Sequence, residues 1–397
     1  MNINIKHVKY LSFILFFFPY FIFYLIFNQY IIALKKEGTI QRINQNLRKI
    51  NRYMRLCKSG ILLRGILKSC SKPKITALIT VHNSQQYVKS AITSVQNQNY
   101  SDIEILIIDD CSNDQSSNII NQIKNSDNRI KVIRNKINRG ILYSKSLGIL
   151  KSKGKFIMFL DSDDMFVNQN IFSICIEEAL KNDIDIVEFS GFESDFNQFK
   201  LNNSIPKIPL YLRYKKNNEI IKQPHLSSYL YRKLEGNEYK LLDGFLWGKC
   251  IKAFVLKNTL KKIGPHIYKR KLNYGDDRLI NFVLFKTAKS FKFIREFGYI
   301  YNQNNMSITH LNLTSNNCKD ELTNIFFIYN ITKKTRECEI AVFEILHRWE
   351  KIIYPGLNNC FNKILLISLF EEMINNIYIS EISKSKLLNL INHINIF

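Results

Sequence analysis

Between residues 75 and 189, short apolar runs rich in β-branched side chains alternate with segments of helical period, and no other feature limits the folds available to the chain as tightly. Ile75-Thr-Ala-Leu-Ile-Thr-Val81, Ile103-Glu-Ile-Leu-Ile-Ile108, Ile130-Lys-Val-Ile133, the run ending at Leu160 and the stretch from Ile184 to Phe189 read as five strands. His82-Asn83-Ser84 breaks the first strand and can cap a helix to about Gln98, and Ser112 or Asn113 can cap the next. Residues 141–153 and 168–182 supply two more helices. Helices of a dozen residues between short strands imply right-handed crossovers, hence an α/β fold whose mostly parallel sheet carries helices on both faces.

The fourth of these strands carries the most chemistry. Lys155-Phe-Ile-Met-Phe-Leu-Asp-Ser-Asp-Asp164 ends an apolar run in three carboxylates within four residues. Asp161 and Asp163 can be brought toward one side, and carboxylate oxygens suit a hard divalent cation such as Mn²⁺ or Mg²⁺. Open parallel sheets bind ligands beyond the carboxyl ends of their strands, so a nucleotide diphosphate is expected at this tip. Standing alone, the run also reads as an Asp-rich turn after a buried strand.

Five stretches stand in one order: Pro73 to Asn83, Ile107-Ile-Asp-Asp-Cys-Ser-Asn-Asp114, Asn138-Arg-Gly140, Lys153 to Asp164, and Tyr274-Gly-Asp-Asp277. Over roughly residues 73–310 that order resembles the family 2 glycosyltransferases of the GT-A fold, the nucleotide-diphospho-sugar transferases. The resemblance implies an inverting enzyme that uses a nucleotide-sugar, a UDP-sugar being favoured, and a hydroxyl acceptor on a glycan, protein or lipid. It places Thr80 and Asp110 at the nucleotide, with the Asp110 carboxylate reading a base N–H, and Arg139 near the diphosphate. Asp161, Asp163 and, beside them, Asp164 become the DXD-type site for ribose and metal. Asp277 becomes the base that takes the acceptor proton, and Asp276 stands where the family has Glu. Two consecutive carboxylates at a helix start are not expected to face the same way, so Asp277 is assigned to the cleft and Asp276 to capping or orienting. Trp247, in Trp247-Gly-Lys249, is placed on the acceptor side, where an aromatic face suits a sugar ring.

The chain departs from the pattern twice. Cys111 replaces the usual glycine after the Asp pair, which implies a turn without positive φ. Lys145-Ser146 replaces the common Arg-Asn, which leaves the donor contacts of that helix open.

Residues 10–34 are almost uncharged and rich in Phe, Leu and Ile, long enough to cross a hydrocarbon core of roughly 30 Å, and lack the small-residue end of a signal peptide. The expected layout is a transmembrane anchor over 1–35, a basic stem over 36–72, the catalytic domain over 73–316 and a helical C-terminal region over 317–397. Within the catalytic domain, 73–195 forms the nucleotide half and 241–316 the acceptor and base half. Lysines and arginines after the apolar run favour a cytosolic domain by the positive-inside rule, whereas enzymes of this layout favour a luminal domain in the Golgi or endoplasmic reticulum; the lumen is preferred. Eight scattered cysteines without CxxC spacing argue against a zinc site. The net charge of +24 reflects a Lys-rich composition throughout, and no nucleic-acid-binding pattern accompanies it. Two alternatives to the enzyme reading remain: a dolichol-phosphate-type sugar transferase at the bilayer, and a non-catalytic glycan-binding protein on the same fold.

Overall fold

The computed structural model describes residues 74–194, 219–223, 231–233, 239–241, 245–302, 315–348 and 363–396. The chain divides into two compact units, 1–72 and 73–397, and all described residues belong to the second. The expected anchor and stem, most of the 196–240 insertion and the loop 303–309 lie outside the described residues. No described helix is long and apolar enough to cross a membrane.

The five expected strands form, as β1 (Ile75–Val81), β2 (Ile103–Asp109), β3 (Ile130–Arg134), β4 (Phe156–Asp161) and, after the two-residue β5 (Met165–Phe166), β6 (Ile186–Ser194). Between them run α1 (Val88–Gln96), α2 (Ser116–Ser126), α3 (Ile141–Lys151) and α4 (Ile171–Lys181). Then come β7 (Ile220–Lys222), β8 (Tyr231–Lys233), β9 (Tyr239–Leu241) and β10 (Lys249–Lys252). The chain continues through α5 (Ala253–Ile263), the short α6 (Pro265–Tyr268), α7 (Asp276–Thr287) and β11 (Ser290–Asn302). It ends in α8 (Ser315–Thr332), α9 (Glu339–Arg348), α10 (Lys363–Ile374) and α11 (Glu381–Ile396).

The sheet is more mixed than the sequence implies. Its order is β3-β2-β1-β4-β10-β6-β11-β5, with β7 also on β11. Strands β3 to β4 are parallel, as β11 is to β6, but β10 runs antiparallel between β4 and β6. That strand has only four residues, too few to show a period in the sequence.

Alternation along each strand sorts the core into two layers. Ile75, Ala77, Ile79 and Val81 of β1, with Met158 and Leu160 of β4, pack with α1 and α4. Leu78, Ile157 and Phe159 face the other way, toward α3, α5 and α7, and that layer continues without a break into α8 to α11. The period therefore carries Asp161, two residues past Phe159, onto the α3 and α7 side.

Two helices begin later than expected. Ser84 O accepts from Tyr87 N and Val88 N, which makes a turn before α1, and Ser112 Oγ accepts from Asn83 N. Asn83 Oδ1 in turn accepts from Asn113 N, and Asp114 Oδ2 from Gln85 N. The predicted capping side chains thus clip the β1 and β2 exit loops together instead of capping their own helices.

Candidate active site

The β4 tip is held by a tyrosine that sequence reasoning did not single out. The N–H of Asp161 donates to the hydroxyl of Tyr299 at 3.2 Å, and that hydroxyl donates to Asp164 Oδ2 at 2.7 Å. Asn302 N donates to the other oxygen of Asp164 at 2.8 Å. Burial, with Asp163 and Asp161 adding to it, pushes the Asp164 carboxyl well above the usual range. Both oxygens of Asp164 thus accept from β11, and the carboxyl anchors the turn beside Asp161 and Asp163. Ser162 Oγ lies 2.6 Å from Ser84 Oγ, which fixes the tip against the β1 exit loop.

Lys145 of α3 is the centre of the site. Its side chain is 3% exposed, and Nζ lies 2.5 Å from Asp277 Oδ1, 3.0 Å from Asp276 Oδ2 and 3.7 Å from Asp161 Oδ1. Helix α3 can press this residue onto the sheet because Gly148 has no side chain; a Cβ there would stand 2.2 Å from Leu78 Cδ1. Burial opposes the Lys145 charge, but Asp276, Asp277 and Asp161 outweigh it and hold the ammonium well above its ordinary value. Burial is also the largest influence on Asp161, whose carboxyl is raised in spite of Lys145. Asp276 is pushed up to about 7, first by burial, with Asp277 adding to it and Lys145 opposing.

The pair at the start of α7 corrects an expectation. Consecutive helical side chains diverge by about 100°, yet both carboxylates reach the same ammonium. Asp277 also accepts from Leu246 N through Oδ2 at 3.2 Å, so both its oxygens are oriented. Its side chain is 18% exposed against 9% for Asp276, which makes Asp277 the more open of the two.

The nucleotide residues are differently employed. Asp110 Oδ1 accepts from Asn135 Nδ2 at 2.7 Å and Arg139 N at 2.8 Å, and Oδ2 from Gly140 N at 2.7 Å. Three of a carboxylate's roughly four acceptor positions are thus spent on the loop 135–140, which makes Asp110 a loop clamp before anything else. Cys111 sits at φ +60°, so the turn does require positive φ, and the cysteine bears the strain a glycine would avoid. Thr80 is buried and paired in register with Asp161. Arg139 lies over the Tyr143 ring at 4.6 Å and donates to Lys269 O at 3.3 Å, at the rim of the same loop. Trp247 is buried, stacked on Tyr299 at 4.9 Å and on Phe245 at 5.1 Å. Among the described residues its buried Nε1 has no hydrogen-bond partner.

The model of Glycosyl transferase family 2 matches residues 76–236. A glycosyltransferase of Haemophilus influenzae is 33% identical over 188 residues, covering 47% of this chain and 67% of that protein. The chain belongs to glycosyl transferase family 2. Glycosyltransferase EpsJ of Bacillus subtilis is 25% identical over 239 residues, 60% of this chain and 64% of its own length. In fold, this family 2 glycosyltransferase is similar to S. aureus TarS 1–349 solved with UDP-GlcNAc, with a TM-score of 0.56, 14% identity, and coverage of 81% of this chain and 87% of that one.

In this family 2 chain a second residue passed over in the sequence is Lys145, noted there only as a departure. The signal was present: Lys145 lies between Leu142 and Ile149 on one helical stripe, three and four residues away, where a surface lysine does not belong. Among the described residues no group of three or more His, Cys, Asp or Glu side chains is assembled to hold a metal ion. Asp161 and Asp163 nevertheless fit a cation that takes its remaining ligands from a diphosphate, since they offer hard oxygen donors and burial leaves Asp161 poorly stabilised as an anion.

Proposed function

We propose that this family 2 glycosyltransferase, with a GT-A-type fold, moves a sugar from a UDP-sugar to a hydroxyl of a glycan, protein or lipid in one inverting displacement. The observation that carries this reading is the meeting of Lys145, Asp161, Asp276 and Asp277 beyond the carboxyl end of β4, where α/β sheets bind their ligands. UDP-GlcNAc in the TarS structure supports a uridine donor.

The steps follow from the chain's own side chains. Asp277 removes the acceptor proton, the freed oxygen attacks the anomeric carbon, and the bond to the nucleotide's terminal phosphate oxygen breaks, so nucleoside diphosphate leaves with the electron pair. Lys145 and Leu246 N, bonded to separate oxygens of Asp277, fix the plane of the base. Asp276 sits behind it as a buried partner to the same ammonium. Asp161 and Asp163 would hold Mn²⁺ or Mg²⁺, which when bound supplies Lewis-acid relief of the charge on the departing diphosphate. Asp110 supports the nucleotide through the loop it clamps, and Arg139 lies at that loop's rim near the diphosphate.

The same proposal keeps residues 10–34 as a membrane anchor with a basic stem after it. The Golgi or endoplasmic reticulum placement rests on that sequence alone, since the named relatives are bacterial.

The test is release of nucleoside diphosphate by the full chain across UDP- and GDP-sugars, with Mn²⁺ and with EDTA, with free sugars, glycans and polyprenyl phosphate as acceptors. Metal-dependent release from one UDP-sugar is the expected result. Release only with polyprenyl phosphate points to the lipid-carrier transferase instead. Donor binding with no release under any acceptor contradicts the enzyme reading.

A further inference from the structure

The turn that presents the two acids is held from the C-terminal helices. Asn273, Tyr274 and Gly275 lead into α7, and Gly275 takes φ +72°. The first half of α8 lies directly against them. Asp320 Oδ2 accepts from Asn273 N at 2.8 Å, and Asn324 Nδ2 donates to Tyr274 O at 3.1 Å. Glu321 pairs with Arg278 Nη2, and Arg278 Nη1 donates to Glu344 Oε2 of α9 at 2.7 Å. A Cβ on Gly275 would stand 2.6 Å from Asn324 Nδ2 and 2.9 Å from Glu321 Oε2, so the turn is moulded onto α8 with no room for a side chain. Asp320, Glu321, Asn324 and Glu344 are all buried.

We propose that α8 is the seat of the catalytic turn, with Asp320 and Asn324 as positioning residues that set the rotation of α7 about its first turn and thereby the direction of the Asp277 carboxylate. This deepens the reading of Asp277 as base and rests on it. The physical case is one of leverage. Asn273 and Tyr274 are the fourth and third residues before Asp277, and both have main-chain groups fixed from α8. Arg278, the residue after Asp277, is held on its far side by two buried carboxylates. The chain on either side of the acid pair is thus held from the C-terminal helices, while the nucleotide half reaches the pair through Lys145 and the lead-in through the bond from Leu142 N to Leu272 O. A misplacement of about 1 Å at a reacting group can cost ~10²-fold in rate, so loosening either C-terminal hold acts on turnover and leaves donor binding intact.

The experiment compares full-length Asp320→Ala, Asp320→Asn, Asn324→Leu and Thr332→Ala. Thr332 is buried at the far end of α8, where its hydroxyl bonds Ile328 O, and serves as a control for general loss of stability. Asp320→Asn keeps an acceptor for Asn273 N and should restore what Asp320→Ala loses. The readouts are kcat, donor KM, the pH profile of kcat, the melting temperature and amide exchange over residues 272–280. Asp320→Ala and Asn324→Leu are expected to lower kcat by roughly 10- to 10²-fold with donor KM nearly unchanged, and to speed exchange at Asn273 more than Thr332→Ala does at equal melting temperature. The acid limb of the pH profile should move in these two variants and not in Thr332→Ala. If Asn324→Leu fails to fold, the Asp320 pair alone decides. Wild-type turnover together with α8 variants no slower than Thr332→Ala overturns this inference alone. A wild-type protein that binds donor but never turns over overturns the base reading and the seat with it.

Discussion

Lys145 concentrates the chemistry of the site in one side chain, because its ammonium lies within 3.7 Å of Asp161, Asp276 and Asp277 together. Removing one partner of a buried ion pair leaves charge without compensation, so Lys145→Met is expected to cost about 3 kcal/mol at pH 7 by urea denaturation. The loss should be smaller at pH 5, where the stranded carboxyls can take protons, and Lys145→Arg should recover most of it. Asp276 gives a separate pH signature. It keeps its proton up to about pH 7 in the folded chain, against the ordinary 3.8, so folding takes up a proton between those values. Its contribution therefore favours the folded state more at pH 5 than at pH 8, and Asp276→Asn should flatten that part of the melting temperature profile. A profile unchanged by the substitution would contradict the assignment.

Among the elements, α3 shows how the fold delivers Lys145. Gly148 lets the helix lie on β1, so Gly148→Val should force α3 outward against Leu78 at a cost of about 1–3 kcal/mol and reduce turnover through Lys145; melting and kcat would be read together. An unaltered melting temperature would show that the contact is not tight. The parallel half of the sheet was readable because β1 to β4 are apolar, β-branched and punctuated by polar breaks. Strand β10 was not, since four residues carry no period and its place between β4 and β6 is decided by long-range pairing. The loops deceived for a different reason. Asn83, Ser84, Ser112 and Asn113 read as cap residues, yet they find partners in the other exit loop some thirty positions away, a choice no local pattern encodes. Asp161, Asp276 and Asp277 stood out as carboxylates in recognisable stretches. The Tyr299 that aligns the β4 tip reads in the sequence as one more aromatic strand residue.

At the scale of the whole molecule, the C-terminal helices belong to the same apolar layer as α5 and α7. Leu322, Ile325, Ile328, Leu366 and Phe370 are buried in it. A chain ending at residue 314 should therefore lose its cooperative thermal transition, seen by near-ultraviolet circular dichroism, and a sharp melt near that of the full chain would show those helices to be dispensable. Asp277 is proposed to accept the proton at a centre organised by Lys145. That role is tested most directly by donor affinity and single-turnover sugar transfer in full-length Asp277→Asn beside the wild type. Donor binding close to wild type is expected, with transfer slowed by roughly 10²- to 10⁴-fold, the usual contribution of a general base. Transfer at the wild-type rate, or loss of donor binding to the same extent as transfer, would contradict it.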